Sequence, residues 1–179
     1  SPKVTVIGLG PGDPSFCSVK TLDLIDEHEI RYVRTARHPS NTLLGTDVVS
    51  FDYLYECSDS FEELYKSIVT ELIDSAEKNR KILYAVPGSP FVAERTVQLL
   101  TEQTEVDVEV HPSLSFIDLA WNSLGVDPME AGVRIVDAHR FTTEAAGDRG
   151  PLLVTQIDSV EVLADMVSSV DSPPAQPVF

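Results

Sequence analysis

The sequence predicts an α/β protein built around a largely parallel sheet. Three observations carry that reading. Short strand-like apolar runs recur along the chain, segments of helical periodicity lie between several of them, and the passage from run to helix repeatedly goes through turns of glycine, proline and serine.

In chain order, Val4–Ile7 is an apolar alternating run that ends in the glycine-rich stretch GLGPGDP. Ser18–Ile25 follows as a helix, with Val19, Leu22 and Ile25 on one side. Strands are expected at Ile30–Val33 and Val48–Phe51. Ser60–Ala76 places Phe61, Leu64, Ile68, Leu72 and Ala76 on one stripe, and Ser60 with Glu63 has the spacing of a capping box. Strand Ile82–Val86 and helix Val92–Leu100 come next, then strand Val106–Val110 and helix Phe116–Leu124, with Gly125 suited to its C-terminal cap. Strands Val133–Val136 and Leu152–Thr155 and a last helix, Ser159–Val167, complete the series.

A break near His111-Pro112 divides the chain into an N-terminal α/β domain, 1–111, and the start of a second one, 112–179. The final SSVDSPPAQPVF is a linker rich in Ser and Pro that reaches Val178-Phe179, which resembles the opening of another strand. The second sheet is therefore expected to be incomplete.

Composition narrows the function classes. No apolar run approaches the roughly 20 residues of a membrane span, and the N-terminus lacks the zones of a signal peptide. Cys17 and Cys57 form neither a disulfide framework nor a metal knuckle, as in a reduced, cytoplasmic protein. His28, His38, His111 and His139 are scattered, so no metal site is expected. With 29 acidic against 13 basic residues the net charge is −16, a field that repels phosphate backbones and argues against bulk nucleic acid as partner.

The glycine loop is not a phosphate grip. After Gly8-x-Gly10 the third position of a dinucleotide fingerprint is Asp13, and after Gly10-x-Gly12 it is Ser15. No Gly-Lys-Ser/Thr follows, and Pro11 and Pro14 stiffen the turn. The residues instead describe a rigid turn at the carboxyl end of the first strand, where glycines let the backbone approach a ligand. Asp13 either points into the crevice or caps the following helix.

The same design recurs at Val86-Pro87-Gly88-Ser89-Pro90 and at Pro112-Ser113-Leu114-Ser115. Together with Gly8-Leu9-Gly10-Pro11-Gly12-Asp13-Pro14 and Phe116, these loops resemble the tetrapyrrole methylase superfamily of S-adenosylmethionine-dependent methyltransferases. RYVRTARHPS (31–40) and the stretches GVRIVDAHRF and PLLVTQIDS between 132 and 159 resemble most the methylase-like domain fused ahead of MazG-type nucleoside triphosphate pyrophosphohydrolases.

That resemblance implies two α/β domains, S-adenosylmethionine in a cleft between them, and a homodimer. It also implies cofactor contacts at Pro11, Gly88, Ser89, Pro90, Val92, Ser115, Phe116 and Gln156. Many relatives carry Asp where this chain has Ser89, a shorter and neutral side chain. Ser115 also reads as a helix cap. For the acceptor, a small molecule, the candidates are Asp13, Arg34 and His38, with Arg37 and Asp137 nearby; Arg34, Arg37 and His38 suit an anion, or His38 a base.

Three functions compete. The first is methyl transfer to a small molecule. The second is a non-catalytic cofactor-binding or regulatory domain of a MazG-type fusion. The third, nucleotide hydrolysis by this segment, is rejected. Glu71-x-x-Asp74 precedes Glu102-x-x-Glu105, the wrong order for its paired carboxylates, and the chain is rich in β-structure.

Overall fold

The computed structural model describes residues 1–147 and 150–170. The chain divides into two compact units, Ser1–Ala120 and the part from Trp121 onward. The first unit thus runs past the break expected at His111-Pro112, and Val178-Phe179 lie outside the described residues.

The first unit holds β1 (Lys3–Gly8), β2 (Arg31–Val33), β3 (Val49–Ser50), β4 (Lys81–Val86) and β5 (Asp107–Val110) in one sheet, ordered β3-β2-β4-β1-β5. Every adjacent pair is parallel. Central strands of such a sheet are covered on both faces and read as continuous apolar runs, and β1 and β4 are buried along almost their whole length.

Alternation sends Val4, Val6, Ile82 and Tyr84 to one face, against α3 (Phe61–Asn79) and α4 (Arg95–Thr101). Ile7, Leu83 and Ala85 go to the other, against Leu24 and Ile25 of α1 (Val19–Asp26) and Leu44. The expected stripe of α3 is largely as observed, with Leu64, Ile68, Leu72 and Ala76 buried, while Phe61 at its start is exposed. Ser60 caps the helix by accepting from Glu63 N–H at 3.2 Å.

Three differences from the sequence reading have local causes. The helix expected from Val92 begins only at Arg95. Val92 N–H closes a turn on the Ser89 carbonyl at 3.1 Å, and Ala93 is left-handed at φ 53°. Short helices also form without any periodicity long enough to read: α2 (Asp52–Cys57), α6 (Pro128–Ala131) and α7 (Phe141–Glu144). Finally, α5 (Phe116–Leu124) matches its expected bounds, but the first unit ends inside it.

The second unit contains β6 (Arg134–Asp137) and β7 (Leu152–Thr155), paired in parallel, and α8 (Val160–Ser168), capped by Ser159. Among the described residues no helix is long and apolar enough to cross a membrane.

The strand order positions a site. From β1 the chain steps outward to β2 and β3, returns to β4 beside β1, then crosses β1 to reach β5. Because β4, β1 and β5 are neighbours and parallel, the loops that follow them leave from one edge. Ligands of open α/β sheets bind at such an edge, where the winding reverses.

Phe51 anchors the core on the α3 side: fully buried, it stacks on Tyr32 at 5.3 Å between ring centroids and meets Tyr84 edge-on at 6.0 Å. Phe51→Ala should therefore destabilise the fold by about 3–5 kcal/mol in chemical denaturation, the usual cost of emptying a buried aromatic position.

Candidate functional site

The three loops meet at Gly8. A Cβ added there would fall 2.1 Å from the Gly88 carbonyl oxygen, 2.6 Å from Ser113 Cβ and 3.0 Å from Pro90 Cδ. No side chain fits, so glycine is what allows the loops after β1, β4 and β5 to close on one another. Gly10 and Gly88 then exchange backbone hydrogen bonds, Gly88 N–H to Gly10 O at 2.8 Å and Gly10 N–H to Gly88 O at 3.2 Å. Both sit at positive φ, 75° and 63°, which glycine adopts without strain.

The first loop is pinned from the segment after β2. His38 Nδ1 accepts from Ser40 N–H at 3.1 Å, so the proton sits on Nε2, which donates to the Gly10 carbonyl at 3.0 Å. Ser40 Oγ donates to Gly12 O at 2.6 Å, and the Cys17 thiol donates to Leu9 O at 3.0 Å. Burial pushes the Cys17 thiol up. His38, expected to act as a base or to hold an anion, has both ring nitrogens engaged in holding this loop.

Asp13 resolves toward its capping alternative: Oδ1 accepts from Ser15 N–H at 2.8 Å at the start of the 3-10 turn Pro14–Phe16. The Ser15 hydrogen bonds hold its carboxyl below the usual range.

Ser115 also caps. Its hydroxyl accepts from Ile117 N–H at 3.2 Å, while Asp118 accepts from Ser115 N–H at 2.8 Å. Beside it, the Ser113 hydroxyl oxygen is buried without a hydrogen-bond partner. Pro11 and Ser89 are half-buried, Pro90 is buried and Phe116 is exposed. Around Gly88 there is room, since an added Cβ would meet nothing nearer than Ser115 Cα at 3.9 Å.

Arg34 follows β2, and its N–H donates to Ala85 O at 3.0 Å. Its Nε lies 3.2 Å from Oε2 of Glu94, a buried carboxylate that the sequence reading passed over. Thr96 Oγ1 donates to Glu94 Oε1 at 2.9 Å, which leaves the Tyr84 hydroxyl to donate to Thr96 at 2.8 Å. Burial raises the Glu94 carboxyl, and Arg34 and Thr96 pull it back; burial is the largest influence on Arg34 and works to lower it, but Glu94 with Tyr55, Tyr84 and Tyr65 together outweigh it and the guanidinium goes up. Glu94 precedes the first residue of α4 and follows the left-handed Ala93. Its side chain lies inside, 4% exposed.

Arg37 is exposed. In the second unit, Gln156 is exposed just after β7 with φ 63°, and Asp137 ends β6 by accepting from His139 N–H at 2.9 Å, as a turn residue does.

A parallel α/β sheet whose three neighbouring loops close tightly at one carboxyl edge, with a glycine approach at Gly88, defines a class of ligand-binding α/β protein. Residues 3–163 match the model of the tetrapyrrole (corrin/porphyrin) methylases, and the chain belongs to that family. Members of the family use S-adenosylmethionine. The chain is 39% identical over 161 residues to the uncharacterized protein YabN of Bacillus subtilis (strain 168), a match covering 87% of this chain and 32% of YabN. It thus spans about a third of the length of that relative.

Among solved structures it is similar to uroporphyrin-III-C-methyltransferase from Thermus thermophilus (20% identity, TM-score 0.61, 86% of this chain and 67% of that one). It is also similar to diphthine synthase (19% identity, TM-score 0.65, 93% and 71%). Identities this low speak for the fold.

Two predictions follow from the loop geometry. Gly8→Ala should cost about 1–3 kcal/mol or more through overpacking, whereas Gly12→Ala should be close to neutral, because nothing lies within 4 Å of its added Cβ; urea titrations of both variants compare them directly.

The second prediction concerns acid. Burial, ahead of the other influences, lowers the His38 pKa from 6.5, with the Gly10 bond raising it and Arg34 lowering it. The unfolded chain therefore binds the proton more readily, so this contribution to stability is complete above about pH 6.5 and is lost as pH falls toward the depressed folded value. Protonated Nδ1 would also confront the Ser40 N–H. His28, lowered chiefly by burial, adds a loss of the same sign. His38→Asn, which keeps an acceptor for Ser40 N–H, should flatten part of the fall in stability below pH 6.5, and an unchanged pH profile would show that His38 does not carry it.

Proposed function

We propose that this chain forms part of an S-adenosylmethionine-dependent methyltransferase acting on a small-molecule acceptor. The observation that carries the reading is the convergence of three loops at Gly8, which leaves an open glycine cradle at Gly88 and an unpartnered hydroxyl at Ser113.

These features suit the cofactor. The space beside Gly88 would be closed by any side chain, and a buried hydroxyl without a partner is a group that a ligand can satisfy. Gly88, Ser89 and Pro90, with Pro11, Val92, Ser115 and Phe116, all within the first unit, would hold it. When bound, S-adenosylmethionine supplies an electrophilic methyl group on a sulfonium.

The chain's own residues supply position. His38 and Ser40 fix the first loop, the Ser115–Asp118 cap fixes the third, and Arg34 presents a positive charge for an anionic acceptor. Methyl transfer from a sulfonium depends more on in-line placement than on a proton-transfer catalyst. That agrees with an edge where the imidazole of His38 is occupied and the Asp13 carboxylate is bound in a cap.

A second reading, a cofactor-binding or regulatory domain without transfer, is favoured by one feature, the neutral Ser89 where many relatives carry Asp. Its hydroxyl has no hydrogen-bond partner among the described residues, so it remains available to a ligand.

Calorimetric titration with S-adenosylmethionine and S-adenosylhomocysteine should give a saturable site near one to one. Ligand at about 100 times its Kd should stabilise the fold by roughly 2.7 kcal/mol. Because Gly88 has φ 63°, valine there would be strained whatever the ligand does. Asparagine tolerates that conformation, so Gly88→Asn should fold and bind weakly. Unchanged affinity in that variant removes the second loop from the site, and no binding to the folded wild-type chain removes the methyltransferase reading.

A further inference from the structure

We propose that the edge formed by the terminal nitrogens of Arg34 is a receptor for an oxyanion group, carboxylate or phosphate, on the acceptor, and that Glu94 is the residue that positions it. The proposal rests on the methyltransferase reading for the word acceptor. The receptor itself rests on the geometry of four side chains.

Arg34 is divided along its length. Nε is buried and ion-paired with Glu94 at 3.2 Å without an aligned hydrogen bond, yet the side chain keeps 24% of its surface open. Among the described residues, Nη1 and Nη2 have no hydrogen-bond or ion-pair partner, and neither is among the buried unsatisfied atoms. A guanidinium ion-paired on its Nε side presents its remaining N–H groups as a planar fork, the geometry that matches two oxygens of a carboxylate or phosphate.

The hold is built from below. Tyr84 donates to Thr96, Thr96 donates to Glu94, and Glu94 faces Arg34, so the carboxylate is fixed on its far side by a hydroxyl relay that ends in the core strand β4. Fixing Nε in this way removes rotamer freedom that an isolated surface arginine would lose only on binding. The backbone of Arg34 is tied to β4 as well, through Ala85 O. The fork therefore stands at the carboxyl edge of the sheet, close enough to His38 for its charge to bear on that ring, and His38 in turn holds Gly10.

Glu94 has two opposed effects on such a receptor. It orients the fork, but its negative charge weakens attraction for an anion. Glu94→Gln separates them by sign. The amide oxygen still accepts from Thr96, while the amide NH2 group opposes Arg34 Nε. Were Glu94 only a counter-charge, the variant would bind anions more tightly; as a positioning residue, its loss must weaken them.

The test follows the Arg34 Nε–H resonance by NMR, assigned by its absence in Arg34→Lys, during separate titrations with inorganic phosphate and with succinate. The wild-type chain should show a saturable shift with at least one of them, and the stronger tells phosphate from carboxylate. Glu94→Gln should weaken that response about tenfold or more without changing affinity for S-adenosylmethionine. No response to either anion in the wild type, or an equal or stronger one in Glu94→Gln, overturns the proposal.

Should Glu94→Gln fail to fold, Arg34→Lys decides, followed through the backbone amides of residues 33–38. The point charge without the fork should lose at least tenfold in anion affinity with the cofactor still bound, and retained affinity overturns the receptor. An anion response in a chain that does not bind S-adenosylmethionine would leave the receptor standing and remove the functional reading. The converse result would remove only the receptor.

Discussion

The missing side chain at Gly8 is the constraint on which the candidate site depends. Position 8 ends β1, between the strands β4 and β5 whose loops must reach the same edge. The Gly88 carbonyl and the Ser113 side chain occupy the volume where a Cβ would be. A residue of any other kind would push the second and third loops off the first and break the paired bonds between Gly10 and Gly88. The remaining fixings at this edge, from His38, Ser40 and Cys17, act on a first loop whose path Gly8 has already set.

A second layer of constraint is polar and buried. Placing Glu94 and Arg34 out of water is costly, and such a pair adds to stability only where its remaining hydrogen-bonding capacity is met. Here the far carboxylate oxygen is met by Thr96 and, through it, by Tyr84. The left-handed Ala93 is part of the same arrangement, since it sets the backbone immediately before Glu94 and ahead of α4. An apolar residue at position 94 would avoid the cost of burying a charge. Retaining the carboxylate is intelligible if the geometry of Arg34 matters, which ties this interior network to the edge above it.

Much of the scaffold was legible because parallel strands buried on both faces write continuous apolar runs; β1 and β4 were read nearly to the residue. The α3 stripe was legible for the same reason, as a burial pattern repeated over several turns. The short helices α2, α6 and α7 were not, because one turn carries no periodicity. At the site, the loops themselves were visible as glycine and proline clusters, and the capping alternatives for Asp13 and Ser115 could be stated. The inward placement of Glu94 could not, since it follows a positive φ at Ala93, a residue whose type gives no warning of it. Nor could the role of His38, which arises from a carbonyl 28 positions earlier in the chain.

The charge of the chain bears on what such an edge can recruit. A net charge of −16 repels anions at long range, so the overall field would slow the approach of an anionic acceptor. At physiological ionic strength that field is largely screened beyond about 8 Å. Within this distance the local groups decide, and next to Arg34 the nearest counter-charge is the buried Glu94, already committed to Nε and Thr96. Selection for an anion on this protein would therefore have to be made at contact, by the geometry of a fork, rather than by attraction from afar. In a strongly acidic chain, a held guanidinium can discriminate among anions because general attraction contributes so little to their binding.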